Sequence, residues 1–117
     1  MEMRDQQRAR HAYSHVESVL EKDRKEYKII VNDFGATVLR SGLSAAMAVI
    51  ERNPTHAKKL FLEHLASSNI PKLGDDWKKL PEKVRNLDLD DYMLATRETL
   101  KVVVWHKRAV QALFGDE

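Results

Sequence analysis

"RSGLSAAMAVIE", residues 40–51, is free of charge from Leu43 to Ile50 in a chain where 32% of residues are charged. Gly42 precedes the run, and Ala45, Ala46, Met47 and Ala48 fill its middle. Such a stretch is a catalytic loop, a membrane segment or a piece of packing. It is far shorter than the ~20 apolar residues that cross a bilayer. Leu43, Met47 and Ile50 recur at helical spacing, which predicts a short helix. With small or apolar residues on nearly every side, that helix should be buried almost all round, against the long first and last helices. Gly42 suits the left-handed residue that closes the helix before it.

Working outward, helix follows helix. Residues 5–22 place Ala9, Ala12, Tyr13, Val16, Val19 and Leu20 at three- and four-residue intervals, an amphipathic pattern with a narrow apolar stripe. The charged patch "EKDRKE" then separates this helix from a second, whose stripe is Tyr27, Ile30, Phe34 and Val38. Beyond the charge-free run, Asn53-Pro54 supplies a cap and a first-turn proline for a helix carrying Ala57, Leu60, Phe61 and Leu65. Residues 67–87 are loop-rich, with a short helical turn predicted near Pro81–Arg85 and Trp77 and Leu80 pinning the segment to the core. A final helix starts at "DLDD", capped by Asp88, and runs ~36 Å to about Phe114. Its predicted apolar face is Tyr92, Met93, Leu100, Val102, Val103, Val110 and Leu113. The expectation is an all-α, compact helical bundle, one domain over residues 1–117, with long first and last helices and a short buried middle helix.

Composition agrees with this. Four glycines and three prolines are few for 117 residues, and Ala, Leu, Lys, Arg and Glu are plentiful. The absence of cysteine excludes a disulfide framework and a thiolate metal site. The opening "MEMRDQQRARHAYSH" lacks an apolar core of the secretory kind, so a cytoplasmic protein without membrane contact is expected.

Candidate chemistry is sparse. His11 and His15 in "HAYSH" have the i, i+4 spacing of two metal ligands, but the glutamate of an HExxH site is missing. With no third ligand near in sequence, they read as surface histidines, and neither metal nor cofactor is expected. "DLDD" and "GDD" read as a helix cap and a turn rather than a Mg²⁺ site. No nucleophile elbow or phosphate-binding glycine loop is present, so catalysis has no foothold.

Positive charge is arranged more informatively, although 20 basic and 18 acidic residues leave a net charge of only +2. Arg4, Arg8, His11, His15, Lys22 and Lys25 follow one heptad-like line within about 100° of arc, while Glu17 and Glu21 lie elsewhere. In the last helix Arg97, Lys101 and Arg108 share about 40° of arc, with Lys107 adjoining. Two basic ridges of this kind can track a phosphate backbone without reading sequence, or simply solvate two exposed faces.

"VLRSGLSAAMAVIE" together with "YMLATRETLKVVVWHKRAVQALF" resembles the small subunit of the type III-B CRISPR–Cas effector, the Cmr complex. The resemblance covers nearly the whole chain. It rests on Ala12-Tyr13, Gly42-Leu43, Tyr92, Thr96-Arg97-Glu98, Trp105 and Lys107-Arg108, in that order and separation. Two departures stand out: "DFGATVL" where the family often has a proline in the second helix, and His106 where it usually has a hydrophobic residue. The resemblance implies a non-catalytic subunit of an antiviral, RNA-guided complex, packed against backbone subunits and neighbouring copies of itself and helping to hold crRNA and target RNA. On that reading Arg4, Arg8, Arg40, Arg97, Lys101, Lys107 and Arg108 are candidate RNA contacts. Gly42, Leu43, Met47, Ile50 and Trp105 are structural, and Trp105 packs rather than stacking on a base. A helical protein–protein adapter without nucleic-acid contact is the alternative, and a small metalloenzyme built on His11 and His15 a more distant one.

Overall fold

The computed structural model describes residues 4–115. Among them the regular elements are all helical: α1 (Arg4–Glu17), α2 (Glu21–Ser41), α3 (Leu43–Glu51), α4 (His56–Ala66), a 3₁₀ turn (Trp77–Lys79), α5 (Leu80–Arg85) and α6 (Leu89–Phe114). The fold is all-α, with α2 packed against α3, α4 and α6, and α1 against α6. α1 packs parallel to α6, pairing Arg8 with Glu98 and His15 with His106. α2 runs antiparallel to α6: Gly35 faces Val103, and the Lys28 ammonium reaches the Gly115 carbonyl. Tyr27, Phe34, Phe61 and Phe114 meet edge to face between α2, α4 and the end of α6.

The first helix is shorter than its pattern predicts. Ser18 Oγ donates to the His15 carbonyl at 2.6 Å, a local bond that competes with helix continuation. The chain then turns, sinking Val19 into the core and leaving Leu20 57% exposed. "EKDRKE" is the start of α2, not a separator; Glu21 and Asp23 suit the positive end of its dipole.

Gly42 ends α2 at φ 96°, ψ 166°, while its N–H still reaches the Val38 carbonyl at 2.9 Å. That is positive φ, but not the left-handed helical conformation; it is a region open essentially to glycine alone. A Cβ here would also lie 3.1 Å from the Tyr92 hydroxyl. That hydroxyl accepts from the Ser44 N–H at 3.0 Å, so α6 caps α3 from outside.

α3 is buried on one face rather than all round. Leu43, Ala46, Met47 and Ile50 point inward, while Ala48 and Val49 are exposed. Its main packing partners are α2 and α5 rather than the first and last helices, and α6 reaches it through the Tyr92 hydroxyl. Alanine flanks make the run charge-free without making it interior. Two further local expectations are corrected. Thr55, not Asn53, caps α4, accepting from the Lys58 N–H at 3.2 Å, because Asn53 takes a left-handed turn at φ 49°. On α6, Met93 and Leu113 are 59% and 39% exposed, and the inner face instead buries Glu98, Thr99 and His106. Asp88 caps α6 as its position predicts, accepting from the Asp91 N–H at 2.9 Å. Ile70 and Leu73 anchor the connection after α4, Trp77 packs partly against the core, and Leu80 is fully buried.

Two substitutions separate these contributions in urea titrations. Leu43→Ala, which leaves a void at a fully buried position, lowers unfolding stability by ~2–5 kcal/mol. Tyr92→Phe removes only the cap on Ser44 and costs ~1 kcal/mol; an unchanged midpoint would show that the hydroxyl does not hold α3.

Candidate functional site

The two basic ridges meet different fates. Arg8 lies with its side chain only 10% exposed, bonded to Glu98 of α6 and to Asp5 at 3.0 Å. Arg4 lies 3.7 Å from the same Glu98. Lys22 and Lys25 are beyond the break, on α2, so the heptad line does not continue through them. What looked like an outward ridge on α1 is largely occupied with a buried carboxylate. No short-range pattern signals that partner; it lies 90 residues away in sequence.

On α6 the ridge remains exposed. Arg97, Lys101, Lys107 and Arg108 all face solvent, and among the described residues no acidic side chain pairs with any of them. Arg108 lies over the Trp105 ring, 4.7 Å from its centroid. Trp105 itself is half-buried and packed against the core, which leaves the guanidinium face outward. Arg40 is exposed at the end of α2, on a different side of the bundle. There it lines a shallow cleft between α2 and α3 with Arg52, a cation the sequence pattern did not single out.

His15 is not a surface histidine, whereas His11 lines a polar cleft. His15 stacks on His64 of α4, ring centroids 4.4 Å apart and planes within 4°. Its Nδ1 lies 3.0 Å from His106 Nε2. Since His106 Nδ1–H donates to the Val102 carbonyl at 2.8 Å, its Nε2 is the acceptor, and His15 Nδ1–H is the donor. Tyr27 hydroxyl and His64 Nδ1 share a hydrogen bond of 2.6 Å. The third imidazole missing near His11 and His15 in sequence is thus supplied twice by tertiary structure. Burial, together with the proximity of His106 and His11, lowers the His15 pKa to about 4. Burial and its histidine neighbours lower that of His64 to about 3. Burial also lowers His106, against the opposing bond to Val102, and raises the Tyr27 hydroxyl. The three imidazoles are therefore neutral at pH 7.

The fold and the outer face of α6 define a small all-helical subunit with one exposed cationic ridge. Residues 4–113 match the family of the CRISPR-associated protein Cas_Cmr5. The CRISPR system Cmr subunit Cmr5 of Thermus thermophilus is 34% identical over 118 aligned positions, which cover 99% of this chain and all of the relative. The crystal structure of a CRISPR-associated Cmr5 family protein from Thermus thermophilus superposes with a TM-score of 0.84 at 32% identity, covering 97% of this chain and 98% of that one. The chain belongs to the Cmr5 family and is a small subunit of the type III-B Cmr complex. No helix of the described residues is long and apolar enough to cross a membrane.

The histidine cluster carries a pH dependence of definite sign. Folded-state values lie below the ordinary 6.5, so the unfolded chain binds more protons between pH 6.5 and about 4. The stabilising difference is complete above pH 6.5 and is lost as pH falls through that window. Urea midpoints taken with a chelator present should fall from pH 6.5 towards 5, and less steeply in His15→Gln. Equal slopes in the two proteins would remove His15 as a cause.

Proposed function

We propose that this chain is a non-catalytic spacer of its complex, holding guide and target RNA through backbone contacts made by the outer face of α6. The observation that carries the reading is the set of exposed cations Arg97, Lys101 and Arg108 along one side of a single long helix, with Lys107 adjoining. Such a row contacts successive phosphates at a spacing set by the helix and reads no base edges. Sequence choice in an RNA-guided complex comes from guide–target pairing, so a subunit that senses only backbone and shape suffices.

Family membership in a Cmr complex makes weak individual binding adequate. Neighbouring copies on one strand act at high effective concentration, which fits a net charge of only +2. Arg40 with Arg52 forms a second, smaller cationic surface for the same strand or its neighbour. Arg8 is assigned a structural role instead, because Glu98 already occupies it, while Arg4, its side chain 61% exposed, stays a candidate contact. Leu39, Leu89 and Met93, exposed to 77%, 72% and 59%, suit contacts with backbone subunits and with further copies of this chain. We place this work in the cytoplasm.

The test is the triple charge reversal Arg97→Glu, Lys101→Glu and Arg108→Glu in the assembled complex. The fold should persist by circular dichroism, target-RNA retention should weaken, and the logarithmic salt slope should flatten by about 1 for each lost phosphate contact. Retention and salt slope equal to wild type would reduce the ridge to a solvated surface.

A further inference from the structure

We infer that His15, His64 and His106 form a binding site for a late first-row divalent metal ion, with Zn²⁺ the natural occupant, clamping α1, α4 and α6 together. The inference is independent of the RNA-holding reading and lies on a different part of the molecule.

Each histidine comes from a different helix, and their ligand nitrogens all lie within 4.8 Å of one another. Three nitrogens around tetrahedral Zn²⁺, with bonds of ~2.0–2.1 Å, sit about 3.4 Å apart. The 3.0 Å pair His15 Nδ1–His106 Nε2 is already at that scale. Coordination requires the wider spacings, up to 4.8 Å, to shorten. Binding balances without net proton release: His15 moves its proton from Nδ1 to Nε2, His64 keeps its proton on Nδ1 and donates it to the Tyr27 oxygen, and the lone pairs of His15 Nδ1, His64 Nε2 and His106 Nε2 face the metal.

The outer partners are those of a metal site. His106 donates Nδ1–H to the Val102 carbonyl, which fixes Nε2 as the ligand atom. His64 has its Nδ1 engaged by the Tyr27 hydroxyl, leaving Nε2 for the ion. Burial disfavours the imidazolium form of the three rings, and the His15 Nδ1–H now bonded to His106 Nε2 is the proton that the metal displaces to His15 Nε2.

A small polar cleft lined by His11, Ser68 and Val102 lies beside the trio, each of these residues four positions from one of its members. An all-imidazole donor set favours Zn²⁺, Co²⁺, Ni²⁺ or Cu²⁺ over Mg²⁺ and Ca²⁺. Glu98, the carboxylate at this cleft, is already bound by Arg4 and Arg8, so no free general base stands beside the ion. The expected role is a staple, not a hydrolytic centre.

The experiment titrates Zn²⁺, and Co²⁺ as a spectroscopic stand-in, into the full-length chain. One ion per chain, a raised melting temperature and the intense visible bands of four-coordinate Co²⁺ are expected, with no response to Mg²⁺. His64→Gln, which keeps a polar partner for Tyr27, should weaken binding about a hundredfold or more, while His11→Gln changes it only a few-fold. In wild type, Zn²⁺ should shift the imidazole ¹⁵N resonances of His15, His64 and His106 together, a readout that stands even if a variant folds poorly. No stoichiometric binding would overturn the inference, and so would binding abolished by His11→Gln with the His64 and His106 resonances unmoved, which assigns the ion to the helical pair alone.

Discussion

Glu98 is 6% exposed, and a carboxylate that deep in the bundle needs positive charge beside it. Arg8 and Arg4 of α1 provide that charge. Because α1 runs parallel to α6, matching Arg8 to Glu98 fixes their relative register, and two turns further on His15 arrives at His106. One buried anion therefore orders the pairing of two helices, the position of the histidine cluster and the withdrawal of Arg8 from the α1 surface. The other side of α6 is set by backbone proximity, where Gly35 of α2 leaves room for Val103 and Gly42 leaves room for the Tyr92 hydroxyl.

The surface of this small Cmr subunit follows from that interior arrangement. Arginines on α1 and α6 look equivalent in a helical projection, yet they differ in the charge across from them. Arg8 of α1 faces a carboxylate buried on α6, whereas Arg97, Lys101 and Arg108 face solvent. Arg97, Lys101 and Arg108 stand on one long helix, which is braced by α1 and α2. A rigid mounting preserves their spacing, and spacing is what a backbone-tracking surface has to offer.

Within the bundle, polarity is concentrated rather than dispersed. His15, His64, His106 and Tyr27 satisfy one another and the Val102 carbonyl, so the helices close over polar rings without stranding these donors. Stacking of His15 on His64 supplies contact area that an aliphatic pair would otherwise provide. The cost appears in protonation: burial disfavours the imidazolium form of all three histidines.

Helix content, the Asp88 cap, the glycine closing α2 and the family were legible in the residues alone, because local propensity, 3.6-residue periodicity and short ordered motifs are properties of neighbours in the chain. The end of α1 at Glu17 was not, since Ser18 bonds back to a carbonyl while the apolar spacing continues undisturbed to Leu20. Nor was the one-faced burial of α3: alanine is compatible with either side of a helix, and only the positions of α2 and α5 choose. Tertiary structure alone decided that Arg8 turns to Glu98 and that His15 meets His64 and His106. Those partners are separated from it by long stretches of chain, and the desolvation and Coulomb energies that couple them depend on distance in space.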